Sequence, residues 1–235
     1  MALPRDEVHL WRAWLDQPVA QVEQLAQTLA AEEQLRAERF HFERDRQHFI
    51  VGRGLLRTIL GRYLELEPRQ LHFIYGAHGK PALPETLNPG QIYFNLAHAH
   101  GLVLYAITRG RDIGVDLEQI HPIDEIEQLA ERFFSAQEIA TLRALPPHQQ
   151  QEAFFHCWTR KEAYLKATGA GLAQPLDQFD VSLAPDEPAR LVRVAGQPQA
   201  VAYWSLQALT PAPGYVAALV VASHDWRLRC WQWTP

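Results

Sequence analysis

Cysteine is nearly absent from this chain: two in 235 residues, Cys157 and Cys230. Two so far apart make neither a metal-binding spacing nor a disulfide framework. Cys157 lies among Phe154, Phe155 and Trp158, where a thiol is expected to fill core. Long hydrophobic runs are missing too, and none approaches the ~20 residues that a membrane-spanning helix needs. The opening, MALPRDEVHLW, has acids where a secretory signal would carry a basic and then an apolar stretch. The expectation is a cytoplasmic protein, a monomer, with no membrane contact. Excess positive charge is the third absence. With 22 Lys+Arg against 27 Asp+Glu the net charge is −5, which argues against a nucleic-acid partner.

The total hides an asymmetry. Residues 1–111 hold 13 basic and 12 acidic side chains, whereas residues 112–235 hold 9 and 15. A near-neutral half with clustered arginines joined to an acidic half suits a phosphate site beside a cation site. Apolar residues make up 47% of the chain, with seven Trp and ten Phe, enough for a packed interior. The length allows two modest domains or one large core.

Periodicity sketches the elements. Val8–Leu15 reads as a strand with Trp11 and Trp14 half buried. From Pro18 a helix is expected through Phe40, with Val22, Leu25, Leu29 and Leu35 as its apolar stripe. A second long helix follows, with Asp45 near its start and Phe49, Leu56, Ile59, Leu60 and Tyr63 at helical spacing. It carries Arg46, Arg53 and Arg57, each open to a solvated or a ligand-facing reading. Leu71–Tyr75 reads as a strand, and GAHGKPALPETLNPG, which contains Lys80, as a loop. Ile92–Leu96 and Leu102–Thr108 read as strands around AHAHG. Those two histidines lack a third ligand at a zinc spacing. His98 at a strand end suits a phosphate contact, or a turn histidine. Further on, HPIDEIEQLAERFFSAQEIATLRAL reads as two helices with Ser135 as N-cap and Phe133 and Phe134 in core, and PPHQQQ as a loop. Beyond the turn-rich GAGLAQPLDQ the remainder is mostly strand, including Phe179–Leu183, Leu191–Val194, Ala200–Leu206 and Tyr215–Ser223. The segments IYFNLAHAHGLVLYAI and AYWSLQALTPAPGYVAALVV share a strand–turn–Gly–strand pattern. That loose repeat predicts an α+β fold of two similar halves related by a pseudo-two-fold, with a ligand cleft between them. Their bounds are expected at residues 1–111 and 112–235.

Two stretches carry the chemistry. In IGVDLE, Asp116 and Glu118 alternate with Val115 and Leu117, so on a strand the two carboxylates face one way, roughly 6.6 Å apart. Such a pair repels unless a cation or donor lies between, and Mg²⁺ is the ion that a few carboxylates and substrate phosphates hold. An exposed, fraying strand end is the other reading. In WTRKEAYLKATG, Glu162 and Lys166 are four apart on one face of a helix that ends at Gly169, an arrangement also common on solvated surfaces.

Taken in order, FNLAH, GVDLE and WTRKEAYLKATGAGL resemble the 4′-phosphopantetheinyl transferase family, Sfp type. RFHFERDRQHFIVGRGLLR, GKP and RFFSAQE fit at their places in the same pattern, over roughly residues 32–225. The resemblance implies transfer of the phosphopantetheine arm of coenzyme A to a serine of an apo acyl or peptidyl carrier protein, releasing adenosine 3′,5′-bisphosphate. It implies that Asp116, Glu118 and Glu162 hold Mg²⁺. Glu162 or a metal-bound water is then the base, and Lys166 lies near the pyrophosphate. It further implies that Arg53, Lys80 and His98 touch the nucleotide's phosphates. The family often has serine on either side of this histidine, whereas here Ala97 and Ala99 stand there. Two other classes use similar residues: a Mg²⁺-dependent phosphohydrolase, and a silent module that binds coenzyme A or a carrier protein. For the carrier protein, Ile123 and Ile126 in the acidic His121–Gln128 segment are either a docking surface or part of their own helix packing.

Overall fold

A computed structural model describes residues 1–171 and 174–234. Leu172 and Ala173, at the end of the GAGL motif and in the turn-rich stretch, lie outside the described residues. In chain order the elements are β1 (Glu7–Trp14), α1 (Val19–Ala26), α2 (Ala31–Ala37), α3 (Glu43–Leu64), β2 (Ile74–Tyr75), β3 (Pro81–Ala82), β4 (Ile92–Ala99), β5 (Leu102–Arg109) and β6 (Ile113–Gln119). Then come α4 (Ile126–Phe133), α5 (Ala136–Ala144), α6 (Pro147–Thr168), β7 (Phe179–Val181), β8 (Leu191–Val194), α7 (Ala200–Tyr203), β9 (Trp204–Leu209), β10 (Tyr215–Ala222) and β11 (Arg227–Gln232).

The architecture is α+β in two similar halves. In each, a 22-residue helix, α3 or α6, covers a sheet whose central feature is an antiparallel hairpin, β4–β5 or β9–β10. The larger sheet runs β11-β1-β5-β4 and the smaller β6-β10-β9. Strands β4 and β6 are therefore edge strands, and they pack against one another where the halves meet. One apolar core lies under α3 and another under α6. A third, with Val8, Ala97, Leu104, Val115 and Leu219, fills the space between the sheets.

Gly114 sets the distance between α6 and β6. A Cβ there would land on the backbone of Ala163 and Ala167, so only glycine lets the helix lie this close. Gly169 closes α6 in the left-handed region at φ 70°, the C-cap expected of it. Ser135 caps α5 by accepting the Glu138 N–H at 3.2 Å, a cap worth about 1 kcal/mol.

Several expectations are corrected. The first long helix is two, α1 and α2, because the Glu33 carboxylate takes the Ala30 N–H at 3.0 Å and restarts the helix there. Leu35 consequently faces solvent, at 56% exposure. Trp11 is buried and Trp14 exposed, as alternation along β1 requires. Leu71–Tyr75 shortens to Ile74–Tyr75. PHQQQ belongs to α6, since proline is tolerated in the first helical turn. Ala200–Tyr203 is a helical turn before β9. Phe134 is buried as expected, whereas Phe133 is only half buried. Ile123 and Ile126 are half buried against the core under α6. The final segment forms β11, which pairs in parallel with β1, its Trp231 stacked on Trp11 at 5.4 Å.

Candidate active site

Four charges follow one another along α6, and packing sorts them. Arg160 and Lys161 are buried and structural. Arg160 donates to the Ser182 carbonyl at 2.6 Å; Lys161 donates to the Leu176 and Phe179 carbonyls and pairs with Glu138 at 2.7 Å. Their lashing to the segment around β7 leaves Glu162 and Lys166 on the side of the helix that faces a cleft between the halves.

That cleft encloses about 620 Å³. Arg53, Lys80 and His98 come to it from the first half, Glu162 and Lys166 from the second. Asp116 on β6 is not itself among the lining residues: its side chain is only 8% exposed, and it joins the cleft through Lys166, whose Nζ donates to its Oδ1 at 2.7 Å. Its Oδ2 is buried without a partner. Glu118, two residues on, is half buried.

The electrostatics of the three acids are those of a site short of positive charge. Burial raises the pKa of Asp116, and the Lys166 ammonium only partly offsets it. Burial and then the Asp116 charge raise Glu118 and Glu162. Among the described residues no three His, Cys, Asp or Glu side chains are already gathered into a cation cage. The donor set nevertheless fits a hard cation: carboxylates that repel one another, and a buried carboxylate oxygen with nothing to accept.

On the opposite wall, Arg53 is held by Glu33, Nε to Oε1 3.3 Å, while its Nη1 is buried and unpartnered. Arg57 is wholly buried and structural, pairing with Glu33 at 2.6 Å and donating to the Leu71 carbonyl at 2.7 Å. Arg46 pairs with Glu43 at the surface. The His98 ring opens to the cleft, and the protein packed around it, then Lys166 and His48, lower its pKa. An uncharged imidazole is thus the resting form at neutral pH.

Lys80 departs from its expected role. It reaches the cleft wall, yet its ammonium donates to the carbonyls of Ile113 at 2.9 Å, Lys166 at 2.6 Å and Ala167 at 3.4 Å. All three protons serve the C-terminal end of α6 and the start of β6. The physical reason is the set of orphan carbonyls and the negative dipole end of the helix. Ala97 and Ala99 are buried in the core between the sheets, so the small apolar side chains serve packing there.

Sequence reasoning missed two cleft residues. Arg36 on α2 lines the cleft and lies over the Phe49 ring at 5.2 Å. Asn95 on β4 also lines it, and its Oδ1 accepts the Val115 N–H at 2.8 Å. Asparagine inside an apolar strand was the available signal for the second. Nothing distinguished Arg36 from its neighbours.

Comparison with known proteins gives this geometry a family. The family model described as the 4′-phosphopantetheinyl transferase superfamily matches residues 112–220, and that of the 4′-phosphopantetheinyl transferase N-terminal region matches residues 11–109. The 4′-phosphopantetheinyl transferase HetI of Nostoc sp. is 46% identical over 99% of this chain and 95% of its own length. The chain belongs to the 4′-phosphopantetheinyl transferase family. The transferase Sfp of Bacillus subtilis is 30% identical over 75% of this chain and 77% of its own. A solved holo-[acyl-carrier-protein] synthase from Thermotoga maritima matches 49% of this chain and 64% of its own at 20% identity and TM-score 0.36, too low a likeness to carry weight. As a member of the family the protein is an enzyme, transferring the 4′-phosphopantetheine arm of coenzyme A to a carrier-protein serine. The phosphohydrolase and silent-module readings fall away.

Proposed function

We propose that coenzyme A lies in the cleft between the halves, with its nucleotide phosphates against the wall of β4 and α3 and its diphosphate toward α6. The single observation that carries this reading is the cleft itself, which gathers Arg53 and His98 from one half and Glu162 and Lys166 from the other. The unpartnered Arg53 Nη1 supports an anion on the first wall, where Arg36 adds a second guanidinium. Asp116, Glu118 and Glu162 would hold Mg²⁺. Bound there, the ion would offset the charge of the diphosphate and of the three acids themselves.

The remaining work belongs to the chain's own side chains. The serine oxygen of the carrier protein attacks the β-phosphorus, and the bond from that phosphorus to the bridging oxygen breaks. Glu162, its pKa raised by burial and by Asp116, is suited to take the serine proton. Lys166 stabilises the charge that develops on the departing adenosine 3′,5′-bisphosphate. Acyl and peptidyl carrier proteins are the acceptors.

The test is mass spectrometry of a panel of apo carrier proteins incubated with enzyme, coenzyme A and Mg²⁺. One phosphopantetheine increment, lost with chelator and in Glu162→Gln and Lys166→Ala, is the expected result. Full activity in both variants would remove the assignment.

A further inference from the structure

Among the described residues, Asn95 is the one side chain of the first half whose carboxamide holds the strand that carries Asp116. β4 and β6 are both sheet edges, so the backbone groups on their facing sides have no ladder partner. Asn95 Oδ1 meets that need for Val115, accepting its N–H at 2.8 Å one residue before Asp116. This contact also decides which way the amide points, because only its oxygen can face a donor. The NH₂ end is therefore turned the other way. Asn95 is only 4% exposed, lines the cleft, and among the described residues its Nδ2 has no acceptor. Unlike Asp116 Oδ2 or Arg53 Nη1, this nitrogen is not a buried unpartnered atom: it opens onto the cleft, where a bound anion offers it an acceptor.

We propose that Asn95 Nδ2 is a binding donor to the diphosphate of coenzyme A, oriented for it by the Val115 N–H. The inference rests on the reading that the cleft holds coenzyme A. The diphosphate is favoured over the 3′-phosphate by position. Asn95 and His98 are three residues apart on a strand and so point from opposite faces. Asn95 faces β6 beside Asp116 and its partner Lys166, whereas His98 faces the helix that carries Arg53.

Asn95→Asp separates donor from scaffold, because a carboxylate still accepts from Val115 but presents an anionic oxygen where the NH₂ stood. Calorimetric titration in Mg²⁺ should show coenzyme A bound roughly 10- to 100-fold more weakly, the worth of a hydrogen bond to a charged group. Dephospho-coenzyme A, which keeps the diphosphate, should lose the same factor. Unchanged affinity for coenzyme A would overturn the proposal, and a loss confined to coenzyme A would move the contact to the 3′-phosphate and overturn it equally. Should the variant not fold, the wild-type protein still decides. Asn88 and Asn95 are its only asparagines, so ¹⁵N-asparagine labelling yields two NH₂ pairs, of which Asn88→Ser identifies one. The Asn95 pair must shift with coenzyme A and with dephospho-coenzyme A; silence overturns the contact. His98→Ala and Lys166→Ala, titrated alongside, test the cleft. If they bind coenzyme A as wild type does, the cleft assignment fails and this inference with it; if they weaken while Asn95→Asp does not, only Asn95 is wrongly assigned.

Discussion

Gly114→Ala puts one methyl group at the contact between the strand of Asp116 and the helix of Glu162 and Lys166. The added carbon meets the Ala163 carbonyl and the Ala167 backbone, which cannot rotate away as a side chain could. Helix α6 must then retreat on the order of 1 Å to restore van der Waals separation. Overpacking of this kind costs roughly 1–3 kcal/mol, so a chain of this size should melt roughly 2–12 °C lower. Ala163 and Ala167 each follow a cleft residue directly, so the same retreat carries Glu162 and Lys166 away from Asp116. A misplacement of that size costs up to ~100-fold in turnover. Differential scanning calorimetry and the rate of holo-carrier formation measure the two effects. Gly90→Ala is the control, since its Cβ meets only side-chain atoms, at 3.5 Å or more. A Gly114→Ala protein with wild-type melting temperature and wild-type kcat would refute the reasoning.

Asp116→Asn should abolish turnover and, in chelator, melt at or above wild type at pH 7. The raised carboxylate pKa means that the folded protein holds a proton the unfolded chain releases from about pH 4 upward, so burial of this acid costs more stability as pH rises. The melting-temperature difference, variant minus wild type, should therefore grow between pH 4 and 7, and a flat or falling difference would contradict it. Lys80→Met should act mainly on stability, roughly 1–3 kcal/mol for the carbonyls it abandons. Urea denaturation beside coenzyme A titration measures both, and a large loss of affinity with unchanged stability would return Lys80 to the phosphates. His98→Ala should weaken coenzyme A more than dephospho-coenzyme A, and equal losses would make it a turn residue.

The pattern of charges and apolar residues carried the local facts. Ser135 marked a helix start, Gly169 a helix end, and the alternation in GVDLE put Asp116 and Glu118 on one face. These follow from neighbours a few residues apart, where helix and strand periods are enforced by the backbone itself. The break between α1 and α2 was not legible, because Glu33 is drawn to Arg53 and Arg57 on the next helix, well beyond the reach of local periodicity. Strand β11 was illegible for a similar reason: its pairing with β1 spans nearly the whole chain.

The amino-acid order by itself determined that an acid pair on a strand and a Glu–Lys pair on a helix exist, and the comparisons agree with the family they suggested. It could not say which charges of WTRKEAYLK face substrate. Tertiary packing decided that, burying Arg160 and Lys161 against backbone carbonyls and leaving Glu162 and Lys166 to the cleft. It also turned Lys80 onto the end of α6 and Asn95 onto β6. The physical reason is that a charged or amide group takes the nearest unmet partner when water is excluded, and only the folded chain determines which partners are unmet.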